Sequence, residues 1–281
     1  MVFHRVGDLL VNTSYRKVFL DKIQAFGIRG IEIFLGETED AYRDIEALLN
    51  FSKELQARDL YVPCVDVYVN YLKPGHFDRA CKIAEEMIES AAVLKSPLGM
   101  VCGSVLPEGM SPDRGREMVA RGIDESIKTG RKKNVEIAIE SFGLSFNLQS
   151  TTEMLSDLYG RLKEIPCYFV GDLGNPCYGG EQPVVSLEEF FDRLRHVHVK
   201  DVKKAPPGQG LPSAGSWWLD NEKIGSGIAD VRTSMQFLNK NGYSGWYSLE
   251  IALADNPDVI GDALDCLGQL LSNPLKEEKT Q

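Results

Sequence analysis

Short apolar, β-branched runs alternate with longer segments of helical period along this 281-residue chain, and the alternation continues from one end to the other. Strand–helix units repeated in this way pair neighbouring strands in parallel and cover them with helices, so the pattern constrains the chain to the α/β class. Candidate strands fall at residues 7–11, 30–35, 61–67, 99–103, 135–141, 167–172, 196–200 and 246–251. Candidate helices lie near 15–26, 41–58, 77–94, 112–132, 151–162, 187–194, 229–241 and 257–271. Strand ends near Glu32, Asp66, Gly103, Glu140 and Asp172 recur at about the length of one βα unit, roughly thirty residues, and eight such units fill the chain. The expectation is a single (β/α)8 TIM-barrel domain over residues 1–281, in preference to two separate domains.

Several helix ends are legible. Ser111 followed by Pro112 reads as an N-cap with proline at the first helical position, and Gly27 and Gly242 stand where left-handed C-caps belong. One stretch breaks the rhythm: residues 202–227, rich in Gly, Pro and Lys and carrying Trp217 and Trp218, form a long β7–α7 loop expected to lie over the barrel mouth.

Composition removes several function classes. A formal net charge of −10 argues against nucleic acid, whose affinity comes largely from neutralised phosphates. No apolar run approaches the roughly 18–20 residues that cross a bilayer, and His4, Arg5 and Asp8 interrupt the start where a signal peptide needs an apolar stretch, so a cytoplasmic protein without a membrane partner is expected. Six cysteines, none in a CxxC pair, fit free thiols in a reducing compartment.

Side chains of a barrel strand alternate between the interior and the helix layer, and the branched apolar residues reveal the phase. In VEIAIES, Val135, Ile137 and Ile139 suit the helix layer, which turns Glu136, Ala138 and Glu140 inward. The same argument turns Tyr168, Val170 and Asp172 inward in YFVGD, His196, His198 and Lys200 in HVHVKD, and Trp246, Ser248 and Glu250 in WYSLEI. Four consecutive strands therefore end in an inward group able to ligate a metal: Glu140, Asp172, His198 and Glu250. Unpaired carboxylates inside a barrel cost several kcal/mol each to desolvate, roughly, unless a cation offsets them. Three carboxylates and an imidazole without thiolates suit one divalent ion, Mn2+ first, then Mg2+ or Co2+, with Zn2+ as a further alternative.

The segments GIRGIEIF, VEIAIESF, FVGDLGN, HVHVKD and GYSGWYSLEI, in that order, resemble the xylose-isomerase-like superfamily of sugar isomerases, epimerases and related dehydratases over essentially the whole chain. The resemblance implies a metal held by a Glu, Asp, His, Glu set, which maps onto Glu140, Asp172, His198 and Glu250, with Glu140 and Glu250 doubling as acid and base. Two features depart from the ketose 3-epimerases of the group: Asn175 replaces the usual His three residues after the metal-binding Asp, and no arginine follows HVHVKDVKK in an HRG-type position. That stretch is more similar to the inosose and 3-dehydroshikimate dehydratases.

A metal bound to a carbonyl oxygen and its neighbouring hydroxyl acidifies the C–H between them and stabilises an enediolate. The expected activity is a divalent-metal-dependent isomerase or epimerase of a ketose or related polyol, with Glu140 and Glu250 exchanging the proton. The alternative on the same scaffold is a dehydratase of the inosose or 3-dehydroshikimate type, in which a β-hydroxyl is expelled. Lys200, Asn175, Glu32, Trp217 and Trp218 are candidate substrate-binding residues, each with a bland alternative: a solvent-reaching lysine or one paired with Asp201, a Gly-Asn-Pro turn, a structural glutamate, a loop anchor. His196 reads as a hydrogen-bonded core histidine. An apurinic endonuclease shares the barrel but resembles a multi-metal site needing more histidines than the four present. A non-catalytic sugar sensor stays open, as does a homo-oligomer.

Overall fold

The computed structural model describes residues 2–36, 43–143, 148–213, 217–251 and 258–272. Among these, eight parallel strands close into a barrel: β1 (Val2–Arg5), β2 (Ile31–Leu35), β3 (Cys64–Tyr68), β4 (Leu98–Cys102), β5 (Glu136–Glu140), β6 (Tyr168–Asp172), β7 (Leu194–Val199) and β11 (Trp246–Leu249). Around it run α1 (Val6–Val11), α2 (Thr13–Ala25), α3 (Ile45–Ala57), α4 (Phe77–Leu94), α5 (Pro112–Lys133), α6 (Thr152–Arg161), α7 (Pro183–Phe190), α8 (Val231–Lys240) and α9 (Asp258–Ser272). The strand beginning the barrel differs from the expected one. Residues 7–11 belong to α1, and the strand that pairs with β2 is Val2–Arg5. An apolar run as short as Leu9–Leu10–Val11 carries no period that separates helix from strand.

Expected caps are present. The Ser111 side chain accepts from Arg114 N at 3.3 Å, and Gly27 and Gly242 take φ of +72° and +73°, a region open to glycine because it lacks Cβ. The strand phase is also as read. Ile137, Ile139, Phe169, Val197 and Val199 pack in the cluster shared with the helices, whereas Ala138 and Val170 join Cys64, Leu98, Met100 and Cys102 inside the barrel. One irregularity serves the site. Phe169 pairs with Leu194 but Val170 pairs with His196, so the ladder slips at Arg195. A bulge of this kind lets Leu194 face the helices and still turns His196 and His198 inward.

The long segment after β7 is not irregular throughout. Strands β8 (Asp201–Ala205), β9 (Leu211–Pro212) and β10 (Trp218–Glu222) form a three-stranded antiparallel sheet in the order β8-β10-β9. The buried Asp201 carboxylate accepts backbone N–H groups from Gly225 (2.9 Å), Gly227 (2.8 Å) and Ala229 (3.2 Å), tying the end of this segment to its start. All six cysteines are free. No helix among the described residues is long and apolar enough to cross a membrane.

Candidate metal centre and active site

Strands β5, β6 and β7 and the residue following β11 bring Glu140, Asp172, His198 and Glu250 to one mouth of the barrel. His198 Nδ1 lies 3.4 Å from Glu140 Oε2, 3.6 Å from Asp172 Oδ2 and 3.5 Å from Glu250 Oε2. Metal–ligand bonds of about 2.0–2.2 Å place tetrahedral donors about 3.3–3.6 Å apart; the donor atoms of Glu140, Asp172 and His198 all lie within 4.8 Å of one another, whereas Glu250 approaches His198 from outside that group. Glu140, Asp172 and His198 are buried, and Asp172 Oδ2 has no hydrogen-bond partner. A buried, unpartnered carboxylate oxygen beside two more carboxylates is a donor set that a cation satisfies. The residues present therefore fit a metal ion, and Glu140, Asp172 and His198 form one of the groups able to hold it.

Two of the candidate ligands, Asp172 and His198, are held from behind. Asp172 Oδ1 accepts from the backbone N–H groups of Gly174 and Asn175, both at 2.6 Å. Burial alone would raise the Asp172 carboxyl, but Lys200, His198 and the Asn175 N–H bring it down to about 2. Glu32 lies beneath, fully buried, with one oxygen 3.1 Å from His196 Nε2 and the other 2.9 Å from His198 Nε2. If His198 Nε2 carries the proton that Glu32 accepts, Nδ1 is the nitrogen presented to the three carboxylates. Glu32 thus holds imidazoles and does not line the cavity, which corrects its assignment to substrate; no residue position in the sequence pattern says which strand lies beneath which ligand. His196 is the buried core histidine expected, its burial holding its pKa down.

The cluster opens into a cavity of about 350 Å3, at the small end of ligand sites. Glu140, His198, Glu250, Lys200 and Asn175 line it, facing Phe34, Asp66, Tyr68, Met100 and Cys102. Lys200 is inward as read, but its partner is Glu250 (2.7 Å), with Asn175 Oδ1 at 3.2 Å, and not Asp201. Asn175 in turn reaches Glu140 Oε2 at 3.4 Å. Trp217 and Trp218 are not among the lining residues. Trp217 is half exposed with the Lys204 ammonium 3.5 Å above its ring, and from the small sheet it is Leu211 that reaches the cavity. The antiparallel pairing of β10 decides which side chains face the barrel, and composition could not show it. Asp66 was legible only as a strand end; carrying the alternation through VPCVDVY turns Cys64, Asp66 and Tyr68 inward together.

Burial pushes the Glu250 carboxyl up to about 7 against the lowering effect of Lys200, and burial raises Glu140 as well. Burial opposes the His198 imidazolium, but Glu32, Asp172 and Glu140 outweigh it and hold its pKa well above the usual value. Glu250 and His198 thus hold protons near and below neutrality that an arriving cation must displace. Mn2+ affinity is therefore expected to fall by about tenfold or more from pH 8 to pH 6. Calorimetric titration in buffers of different ionisation enthalpy measures both the affinity and the protons released; an affinity independent of pH contradicts this account. A second expectation concerns Glu32. Glu32→Gln leaves the cluster intact but weakens its support, and should lower Mn2+ affinity about 10- to 100-fold. The same titration reads it, and unchanged affinity would remove Glu32 from the positioning role.

The profile of the family described as xylose isomerase-like TIM barrel matches residues 20–270. An inosose dehydratase of Serratia proteamaculans (strain 568) is 25% identical over 195 residues, covering 66% of this chain and 62% of that protein. The match thus spans less than two thirds of the relative's own length. The structure of the probable 3-DHS dehydratase AsbF of Bacillus anthracis superposes with a TM-score of 0.74 at 14% identity, covering 95% of this chain and 98% of that one. The IOLI protein with a binding zinc atom superposes with a TM-score of 0.75 at 16% identity, covering 96% and 98%. At these identities the two structures show a shared fold.

Proposed function

This chain belongs to the xylose isomerase-like TIM-barrel family, and from that premise we propose that it is a divalent-metal-dependent dehydratase of a polyhydroxylated ketone of the inosose type, acting from a single barrel domain. The observation that carries the proposal is the approach of three carboxylate oxygens to within 3.4–3.6 Å of His198 Nδ1, with Glu140, His198 and Glu250 lining a cavity. The inosose dehydratase names among the relatives favour removal of water over the isomerase or epimerase reaction expected first from the sequence.

Glu140, Asp172, His198 and Glu250 would hold the ion, Mn2+ being our first choice; zinc is the metal bound by the IOLI protein. When bound, it supplies positive charge that polarises the substrate carbonyl and acidifies the adjacent C–H. Glu250 stands at the lip of the cluster with a carboxyl near 7, the range in which a general base is half ready at neutral pH. It takes the α-proton as the C–H bond breaks; the carbon–carbon double bond forms as the β-hydroxyl departs and leaves as water after receiving a proton. Glu140, raised by burial, is the group on the far side of His198 able to deliver that proton. Lys200 stays charged between Glu250 and Asn175 and orients both. The same two carboxylates on either side of His198 also suit epimerisation, in which Glu140 returns a proton to the opposite face.

Mn2+-loaded protein incubated in D2O with inososes, ketohexoses and 3-dehydroshikimate separates the two. Dehydration yields an ultraviolet-absorbing product and released water; epimerisation yields unchanged mass plus one deuterium. Deuterium uptake without loss of water from any compound would overturn the dehydratase proposal.

A further inference from the structure

In the ring of eight strands β3 stands directly across from β7, so Asp66 faces His198 over the cavity. Asp66 is 2% exposed, and its Oδ1 has no hydrogen-bond partner. Phe34, Met100, Cys102 and Tyr68, which share this wall, offer at most a thiol and a phenol. A carboxylate oxygen kept dry and unpartnered costs stability, and a native site retains such a group where a ligand satisfies it. In either protonation state the oxygen accepts a hydrogen bond from a hydroxyl.

The charges around the cavity narrow what that ligand can be. Among the described lining residues none is an arginine, and the Lys200 ammonium is already held by Glu250 at 2.7 Å. An anionic substrate would meet a far wall of Asp66, Phe34, Tyr68, Met100 and Cys102, which holds no cation to receive it. We infer that Asp66 is a specificity-determining residue: it receives a hydroxyl of a neutral polyhydroxylated substrate at the end remote from the metal cluster and disfavours carboxylated or phosphorylated ones. The inference rests on reading this cavity as the substrate site, but not on which reaction follows.

The experiment measures binding. Mn2+-loaded wild type, Asp66→Ala and Asp66→Asn are titrated calorimetrically with myo-inositol, its monodeoxy analogues and D-fructose as neutral probes, and with 3-dehydroshikimate and fructose 6-phosphate as anionic ones. At least one neutral probe should bind wild type more tightly than both anions. Asp66→Ala should weaken that probe by about three- to tenfold, the value of a hydrogen bond, and Asp66→Asn by less. One analogue lacking a single hydroxyl should lose the same factor with wild type and nothing further with Asp66→Ala. Mn2+ affinity should stay within about twofold, and the thermal midpoint should hold or rise, since an unpartnered buried group has been removed. Unchanged affinity in Asp66→Ala, tighter anions, failure of every neutral probe to bind wild type, or a clear fall in thermal midpoint for both variants would each overturn the inference. Neutral binding as expected without turnover of any inosose would instead sink the proposed reaction and leave the role of Asp66 standing.

Discussion

His198→Ala should abolish metal-dependent turnover. The imidazole is the common neighbour of all three carboxylates, its Nδ1 lying 3.4–3.6 Å from each. Without it, Glu140, Asp172 and Glu250 face one another across a gap, and the ion loses the ligand that Glu32 orients from below. If the metal supplies about 4 kcal/mol of the charge stabilisation in the transition state, kcat/KM should drop by about three orders of magnitude. Calorimetry with Mn2+ and steady-state kinetics test it together, with circular dichroism to show that the barrel is retained. A variant that binds Mn2+ as tightly as wild type and turns over normally would dismantle the metal centre.

Glu250→Gln is expected to lower kcat by about two to four orders of magnitude while leaving much of the metal binding in place. The amide keeps an oxygen for the ion and an acceptor for Lys200, which lies 2.7 Å from Oε1, but it cannot take a proton. Because burial holds the Glu250 carboxyl near 7, the wild-type rate should rise with pH through that region as the base ionises, and this limb should vanish in the variant. Metal binding lowers the carboxyl, so the limb is expected at or below neutrality in the loaded enzyme. A Glu250→Gln variant retaining the wild-type rate and profile would move the base elsewhere, with Glu140→Gln the next substitution to measure.

The four-residue cluster was legible because each member announces itself locally. Ile137 and Ile139 mark the helix-facing phase of β5, and Val197 and Val199 that of β7; the residues between them must then point inward. Strand existence in the barrel followed from the same alternation and failed at residues 7–11, where the run was too short to carry a period; the three strands of the small sheet, inside the segment expected as a loop, were missed as well. Asp66 obeyed the rule equally well, but a single inward carboxylate is chemically mute until its surroundings are known. Glu32 and the two tryptophans were legible as residues and not as roles: Glu32 sits under His198, 166 positions away, and Trp217 turns outward from a small sheet whose pairing no local pattern announces.

What the chain's own pattern determined, then, was the α/β class, the repeat of about thirty residues and the inward set Glu140, Asp172, His198 and Glu250, because side-chain alternation and βα periodicity are properties of neighbouring residues. Closure of the ring decided the rest. It set β3 opposite β7, placed Glu32 between two imidazoles, and with the slip at Arg195 aimed His196 and His198 into the same interior. These contacts join strands far apart in the chain, and their distances are set by barrel geometry and not by any spacing along the sequence.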